Sequence, residues 1–411
     1  MENFTIEFTS IATLSITVFG IIFCLLQTEF TSVSKSFAAF LLAIAVNNMP
    51  DALAPIIDTL PSVYMQPIEL VIWQPSMLLL APLFWIYVFT LTSREQRYPE
   101  KLYRHFILPL LTVFVGLVIL FFGQEIWGTL FDNKPLPTST WAIVLISSIT
   151  LLQLASYPQI IIYLILIIRR LLRHRILLKD YYSSTEKHEL RWIYFIGGSG
   201  LIFWFANATL LFLEFGKDQT KTQNIFINIG TLAGLAVVGA TVLWGIRQRP
   251  PLLPGPALLQ DCEPTHTSPL SEIHSPEPTN SKYEKSALND EISSRIARKL
   301  RAAMENENLH RDPNLSLWTL SRHIGASPNY VSQTLNEVIG ESFFDFVNSY
   351  RIAEAMTRLT STNDNVLNIT YDVGFNARSS FYNAFKRVVG ETPTVYRKTM
   401  SHRNGVDDNF S

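Results

Sequence analysis

Charged side chains are scarce in this chain. They make up 16% of its 411 residues, whereas soluble globular proteins average about 25%. The scarcity lies in residues 1–248, which carry 31 charged side chains against 36 in the shorter remainder. A wholly soluble protein is therefore excluded, and the formal net charge of −1 excludes any argument from overall electrostatics.

Cysteine and the common catalytic motifs are also scarce or missing. Cys24 and Cys262 are too few for a disulfide framework or a structural zinc site. The chain has no Walker A, HExxH or GxSxG motif. His105, His174 and His188 lie in basic loops, where a solvated histidine is the ordinary state. We therefore expect neither an enzyme nor a bound cofactor or metal.

Long apolar runs, in contrast, are frequent. Seven of them approach the roughly 20 residues that a helix needs to cross a bilayer, and they cover residues 8–27, 36–57, 68–91, 105–123, 141–168, 192–214 and 225–246. The second run is interrupted by polar or helix-breaking residues that must face protein or water at membrane depth: Asn47, Asn48, Pro50, Asp51 and Pro55. We predict seven spans in a lipid bilayer.

Basic residues between these runs are unevenly distributed. Alternate segments hold 14 lysines and arginines, whereas the opposite segments hold 3. Basic residues concentrate on the cytoplasmic side, so we predict a bacterial inner-membrane protein with its N-terminus outside and its C-terminus in the cytoplasm. No basic region precedes the first run, which favours an uncleaved signal-anchor over a removable signal peptide.

A proline-rich segment follows the membrane region. Residues 249–285 contain eight prolines among serine, threonine and glutamate, which predicts a flexible linker. The prolines prevent a continuous helix. We therefore expect that the linker can transmit a signal only by setting the position in which the next domain is held. Four apolar residues then recur every fourth position, Ile292, Ile296, Leu300 and Met304. They predict an amphipathic helix that packs on the next domain or forms a dimer contact.

The last hundred residues contain an internal repeat. Four positions recur 49 residues later, where Leu317, Leu320, Ile324 and Gly325 correspond to Val366, Ile369, Val373 and Gly374. Four more recur 50 residues later, where Val331, Leu335, Val338 and Gly340 correspond to Phe381, Phe385, Val388 and Gly390. Each copy predicts a short helix, a turn with glycine and a second helix that glycine ends, which is helix-turn-helix geometry. A long helix from Phe343 to Leu359 joins the copies.

Two stretches of this region carry a family resemblance. They are LSLWTLSRHIGASPNYVSQTLNEVIGESFFDFVNSYRIAEA and NITYDVGFNARSSFYNAFKRVVGETPTVYR. Residues 313–400 resemble the DNA-binding domain of the AraC/XylS family of bacterial transcription regulators. The membrane region is similar, at Ala81 to Phe84, to the seven-helix N-terminal regions of membrane-bound members. The resemblance implies an all-α protein that binds double-stranded DNA, and RNA polymerase as a further partner if it activates transcription.

These patterns together predict five parts of the chain. We expect a seven-span sensor, a linker, a connecting helix, a domain with two helix-turn-helix motifs and a disordered tail, at residues 1–248, 249–285, 286–312, 313–403 and 404–411. The fourth part holds nine basic against seven acidic residues, so its attraction to phosphate is modest. Pairing of two chains in a homodimer would then help DNA binding.

The second helix of each motif is predicted to read DNA with its polar face. At 100° per residue the apolar positions of the repeat, Val338 and Val388 among them, face inward. Asparagine and glutamine suit adenine, Arg378 suits guanine, and Lys386 and Arg387 suit phosphate. The predicted contact residues are Asn329, Ser332, Gln333, Asn336, Arg378, Ser379, Tyr382, Asn383, Lys386 and Arg387.

Arg351 is expected to pair with a carboxylate such as Asp372 instead of contacting DNA. In the membrane region, polar and acidic residues of the outward half are candidates for receiving a small cationic ligand, protons or another membrane signal: Asn47, Asn48, Asp51, Asp58, Glu69 and Glu214. Solvated interface positions are the other interpretation of Asp58, Glu69 and Glu214.

Two functions fit these observations. The first is a membrane-bound transcription regulator that senses a signal in its bundle and binds specific DNA. The alternative is a transporter-like membrane protein with an appended regulatory DNA-binding domain. A retinal protein is excluded because the last apolar run, residues 225–246, contains no lysine for a Schiff base.

Overall fold

All regular secondary structure in the described part of the chain is helical. The computed structural model describes residues 2–57, 69–93, 96–122, 126, 139–186, 188–214, 221–248, 250 and 281–407. Within these ranges, β-type pairing is confined to one antiparallel bridge between Tyr182 and Ser316. The predicted all-α fold is thus confirmed. The chain divides into two compact units, which are Met1–Leu172 with Leu190–Pro251 and Arg173–Glu189 with Leu252–Ser411.

Among the described residues of the apolar region, seven long helices follow one another. Numbered α1 to α7, they are Glu2–Leu26, Thr31–Ile57, Gln74–Leu91, Ile107–Phe122, Thr140–Leu178, Arg191–Glu214 and Lys221–Arg247. A π turn at Glu69–Trp73 precedes α3, and a 3₁₀ turn at Leu102–Phe106 precedes α4. The order of helices follows the order of the predicted spans.

Six helical segments are long and apolar enough to cross a membrane, counted over the described residues alone. They are Thr5–Leu26, Thr31–Ile56, Leu70–Leu91, Leu102–Phe122, Thr140–Leu178 and Asn228–Arg247. They match six of the seven predicted spans. The remaining span, predicted at 192–214, is helical as α6, but many of its side chains lie outside the described set. The count of seven therefore stays a prediction.

Helices α1, α2, α3, α5, α6 and α7 contribute side chains to one apolar core. Phe37 of α2 packs on Tyr87 of α3 with ring centroids 4.6 Å apart. Glycines allow the close approach of the helices: a Cβ on Gly245 of α7 would overlap the Phe37 ring, and one on Gly20 of α1 would lie 2.7 Å from Leu41. Small residues at such crossings let helix backbones approach closely in membranes. The second predicted span is thus a packed helix despite its polar residues.

In the described part of the second unit, seven further α-helices accompany the segment 173–189. Numbered α8 to α14, they are Ser281–Glu305, Leu317–His323, Pro328–Thr334, Phe343–Ser361, Val366–Asp372, Arg378–Val389 and Pro393–Asp407. A π turn, Leu335–Ile339, extends α10. We call α9 with α10 the first motif and α12 with α13 the second motif. The long helix α11 joins the two motifs, as the sequence predicts.

Two apolar cores, one for each motif, meet along α11. The first half of α11 contributes Phe343, Phe346 and Val347 to the core of the first motif. Its second half contributes residues from Ile352 to Leu359 to the core of the second motif. Helix α8 packs on the first core through Ile296, Leu300, Ala303 and Met304. The amphipathic face of α8 is therefore buried within its own chain.

The structure differs from the predicted division of the chain at three places. Residues 173–189, predicted within the sensor, pack with the second unit because their backbone and side chains bond to it. Helix α8 begins at Ser281, inside the predicted linker, and α14 continues to Asp407, inside the predicted tail. The rest of the linker, from 251 to 280, lies outside the described residues.

Candidate nucleic-acid interface

The first motif is shaped by side-chain caps and one glycine turn. Ser316 and Thr319 form a reciprocal capping box at the start of α9, which satisfies backbone donors that a helix leaves open. Gly325 takes φ +64° in the turn, a conformation that favours glycine. Ser327 then caps α10, whose first residue is Pro328. These residues set the direction of α10 relative to α9.

The second motif has a side-chain cap on its first helix and a glycine turn, but Ala377 provides no side-chain cap for α13. Asn365 caps α12 by accepting a hydrogen bond from the amide of Leu367. Gly374 takes φ +97° in the turn, and a Cβ there would lie 2.6 Å from the carbonyl oxygen of His310. Glycine is required at this turn for both conformation and space.

The burial of side chains repeats along the two candidate recognition helices. Residues 331–340 and 381–390 show the same succession of buried, half-buried and exposed positions without exception. In both helices a glycine with positive φ, Gly340 or Gly390, ends the helix. The predicted repeat in sequence is thus a repeat in packing.

Val338 and Val388, predicted to face inward, are exposed by 49% and 53%. Thr334 and Ala384 are buried instead. The core ends after the second turn of each helix, so the last turn projects past it. In the first motif the residue after Val338, Ile339, packs against the core instead. The expectation for both valines was wrong because periodicity indicates direction without indicating how far a core extends.

The predicted DNA-contact residues lie on the solvent side of their helices. Ser332 and Tyr382 are half-buried. The exposed ones are Asn329, Gln333, Asn336, Arg378, Ser379, Asn383, Lys386 and Arg387. No contact with DNA is part of the structure, so their role in reading bases stays a prediction.

Two arginines of α13 are held by neighbouring side chains. The guanidinium of Arg378 lies 4.9 Å from the ring centroid of Tyr382 and donates to its hydroxyl at 3.2 Å. Hydrogen bonding with Thr394, and then with Arg378, lowers the pKa of Tyr382 below its ordinary value. Arg387 forms a 2.6 Å ion pair with Asp345 of α11. Arg378 is therefore preorganised, and the charge of Arg387 is partly balanced before any phosphate binds.

Arg351 is structural, as expected, but its predicted partner was wrong. It is fully buried and donates to the carbonyl oxygens of His310 at 2.6 Å and Asp312 at 2.7 Å. Asp372 pairs with Arg358 instead, because it is half exposed and out of reach of the buried site. Burial lowers the pKa of Arg351 to about 10, opposed by the charges of Asp312 and Glu186. The guanidinium is still charged at neutral pH.

Arg351 also donates to Ser183, a residue that sequence reasoning missed. Ser183 is 1% exposed and lies in a segment that is basic and predicted to be a loop. A signal was present in the tyrosine pair at 181 and 182 followed by a run of small hydroxyl residues, Ser183 to Thr185, since aromatic residues in a basic loop suggest a packed surface.

The candidate sensing residues are described only in part. Asn47 of α2 donates to the Ser76 hydroxyl of α3 at 3.4 Å, and Asn48 donates to the Ile44 carbonyl at 2.9 Å. Asp51 is exposed on α2. Asp58 and the side chains of Glu69 and Glu214 lie outside the described residues, so a shared site remains a prediction. Among the described residues, no group of three His, Cys, Asp or Glu could hold a metal ion.

Comparison with known proteins bears on the C-terminal region. A family model described as a helix-turn-helix domain matches residues 320–399. An uncharacterised HTH-type transcriptional regulator of Staphylococcus aureus (strain COL) is 36% identical over 89 residues, 22% of this chain and 12% of that protein. The melibiose operon regulatory protein of Escherichia coli (strain K12) is 27% identical over 92 residues, 22% of this chain and 30% of that protein.

A solved structure is similar to a quarter of the chain. The C-terminal domain of AraT, a response regulator from Geobacillus stearothermophilus, is 26% identical over 25% of this chain and 84% of that chain, with a TM-score of 0.24. The matched part of the chain spans 12% and 30% of the length of the two curated relatives. The predicted resemblance is confirmed for that part, which is a helix-turn-helix domain of the AraC type.

Proposed function

We propose that the protein is a membrane-bound transcription regulator. Its N-terminal helices sense a signal, and its two helix-turn-helix motifs bind specific double-stranded DNA. The observation that carries the proposal is the matched pair of recognition helices, whose polar faces are exposed at a fixed 50-residue spacing within an AraC-type domain. Two motifs on one rigid connecting helix would contact two neighbouring segments of major groove.

The two recognition helices supply different chemistry to this complex. Helix α10 offers hydrogen-bonding groups, Asn329 and Gln333 among them, that suit a bidentate pair on adenine. Helix α13 offers Arg378 for guanine and Lys386 for phosphate. The balance of nine basic and seven acidic residues in 313–403 makes non-specific attraction weak. A homodimer on paired sites would raise the affinity by linking two such domains.

The membrane region would hold the regulator in the inner membrane with the DNA-binding domain in the cytoplasm. The six apolar segments and the 14 to 3 distribution of basic residues support this arrangement. A signal received near Asp51, where polar residues interrupt an apolar helix, would shift the protein between two states that differ in DNA affinity. If the protein activates transcription, RNA polymerase is the next partner.

DNA binding is tested with the full-length protein in lipid nanodiscs and a random pool of duplexes. The protein should select a defined sequence. Asn329→Ala, Gln333→Ala and Arg378→Ala should each weaken binding to it by about 1–3 kcal/mol, the loss of a bidentate base contact. Arg295→Ala, an exposed arginine on α8, is the matched control and should bind as the wild type does. Failure to select any sequence would contradict the proposed function.

Membrane topology is tested with reporter enzymes fused after Arg249. A cytoplasmic reporter should be active at this position, and a reporter that works only in the periplasm should be inactive. The reverse result would place the DNA-binding domain outside the cytoplasm, and the regulator hypothesis would fail with it.

A further inference from the structure

The segment Lys179–Thr185, which we call the docking loop, is bound through its backbone to the first motif and to α11. The amide of Leu317 donates to the carbonyl oxygen of Tyr181 at 2.8 Å, and the amide of Ser183 donates to Leu315 at 3.2 Å. The amide of Phe344, in the first turn of α11, donates to Lys179 at 2.8 Å. The loop thus satisfies donors at the N-terminal ends of both α9 and α11, which a helix itself leaves open.

Aromatic side chains extend this contact. Tyr181 stacks on Trp318 of α9 with ring centroids 5.1 Å apart, and Tyr182 meets the same indole edge-on at 5.5 Å. The repeat places Leu367 of the second motif at the position of Trp318, and Leu367 is 39% exposed. The loop therefore covers this position in the first motif, whereas the matched position in the second motif is exposed.

Arg351 connects the docking loop to the joint between the motifs. Its guanidinium has five N–H donors. The acceptors from outside the loop are the carbonyl oxygens of His310 and Asp312 and the Asn348 side chain. From the loop, Ser183 adds its carbonyl at 3.3 Å and its hydroxyl at 3.0 Å, and Ser184 adds its hydroxyl at 3.4 Å. Without the loop, two of five donors on a fully buried charge would lose their partners.

The same guanidinium lies 5.4 Å from the ring centroid of Phe375, a buried residue of the second motif. Loss of the loop would thus disturb the contact of α11 with both motifs. The docking loop begins at the residue after α5, the helix that holds the predicted fifth span, and the amide of Tyr181 bonds to the last residue of α5, Leu178, at 3.1 Å.

We propose that the docking loop couples the membrane helix α5 to DNA binding. With the loop docked, α9 and α11 have the arrangement that binds DNA, and release of the loop lowers the affinity. The loop activates rather than blocks, because Asn329, Gln333 and Arg378 stay exposed while it is docked. This inference rests on the proposed DNA-binding function. It adds a second route for a signal beside the predicted linker.

A reversible cross-link tests the docked state directly. Tyr182 and Ser316 are opposed between the two backbone hydrogen bonds of an antiparallel bridge, where Cα atoms lie about 4.5 Å apart, within the range of a disulfide. Tyr182→Cys with Ser316→Cys is made in a Cys24→Ala, Cys262→Ser background of the full-length protein. Oxidised and reduced samples of this variant carry the same loss of the Ser316 cap, so their comparison isolates docking.

We expect the oxidised protein to bind its selected duplex at least as tightly as the reduced protein. Weaker binding after oxidation would mean that the docked loop inhibits, and the proposal would be overturned. Selection of no duplex by the wild type would refute the DNA-binding function instead. Docking of the loop could still be measured in that case, because hydrogen exchange at the amides of Ser183, Leu317 and Phe344 reports docking without DNA.

Release of the loop is tested with Trp318→Ala, and Leu367→Ala is the control at the matched position of the second motif. Trp318→Ala should speed exchange at the loop amides and weaken DNA binding about ten-fold, the effect of about one lost buried hydrogen bond. Leu367→Ala should change affinity less than about two-fold. The disulfide, placed in the Trp318→Ala protein, should restore affinity. Unchanged binding by Trp318→Ala, or no rescue by the disulfide, would contradict coupling.

Discussion

The two motifs of the C-terminal domain are alike in packing and different in charge. Their second helices share one burial pattern over ten residues, yet residues 328–339 contain no lysine or arginine and one glutamate, whereas α13 contains Arg378, Lys386 and Arg387. A common scaffold therefore carries two kinds of contact surface. We infer that the second motif provides most of the phosphate attraction and the first motif depends on hydrogen bonds to bases.

The motifs differ also in what covers them. The first motif packs against α8 and the docking loop, while the matched surface around Leu367 in the second motif is open. Regulation through α9 would thus act on the motif with the weaker electrostatic attraction to DNA. A change in its position alters sequence recognition more than general attraction to DNA.

The largest expected effect is the loss of stability of both motifs after one substitution at Arg351. Arg351→Met keeps the side-chain volume but removes the donor from three backbone carbonyls, those of His310, Asp312 and Ser183. We expect a loss of about 3–5 kcal/mol in the free energy of unfolding of the second unit. Urea unfolding of the full-length protein, followed by hydrogen exchange in both motifs, measures it. Arg358→Met, which removes partly exposed ion pairs, should cost about 1 kcal/mol or less; an equal loss would show that burial is not decisive.

Glycine-to-alanine changes in the two turns should separate the motifs. Gly374→Ala combines a left-handed conformation with a clash on the His310 carbonyl and should cost about 3 kcal/mol. Gly325→Ala meets open space and should cost about 1 kcal/mol, the conformational part alone. Thermal unfolding of both variants gives the difference. Equal losses would mean that His310 moves away without penalty.

The division of charge predicts different responses to salt. Lys386→Ala should reduce the slope of log affinity against log salt by about 1, because one phosphate contact is lost. Gln333→Ala should weaken binding by about 1–3 kcal/mol and leave that slope unchanged. Titrations of the selected duplex at several salt concentrations measure both. A change of slope in the glutamine variant would contradict base reading by α10.

The smallest effect concerns Glu354, which bridges the region before the first motif and the helix between the motifs. Burial raises the pKa of its carboxyl, but hydrogen bonds from Arg311 and His310 outweigh this and hold the pKa below its ordinary value. Its contribution to stability is therefore complete above the ordinary glutamate pKa of about 4 and is lost as the pH falls through the lower folded-state pKa.

Glu354→Gln should accordingly lower the free energy of unfolding at pH 7 by about 1 kcal/mol. The difference from the wild type should shrink in acid. Denaturation at a series of pH values measures it, with Glu307→Gln as a more exposed control. A difference that persists in acid would show that charge is not the cause.

Local patterns in the sequence predicted much of this protein. The helices of the repeat, the turns at Gly325 and Gly374 and most of the apolar segments follow from periodicity and from residue types with one preferred conformation. Periodicity failed at Val338 and Val388, because the end of a core depends on which other elements reach it.

Contacts distant in sequence could not be predicted in this way. Nothing near Arg351 indicates Ser183 as a partner, since their hydrogen bonds join residues 168 positions apart. Whether Arg351 pairs with Asp372 or with backbone carbonyls depends on how deeply each group is buried in the folded protein. A single sequence does not contain this information.

The wide separation of Ser183 and Arg351 also sets an order of events during synthesis. A ribosome adds about 5–20 residues per second, so the 168 positions between them correspond to about 8–34 s. During this interval the docking loop has been synthesised, but Arg351, which donates hydrogen bonds to it, has not. The nascent C-terminal domain then completes its core on a segment that was made directly after the apolar helix α5. Synthesis of residues 281–411 as a separate fragment would omit that segment and leave the Arg351 site open to water.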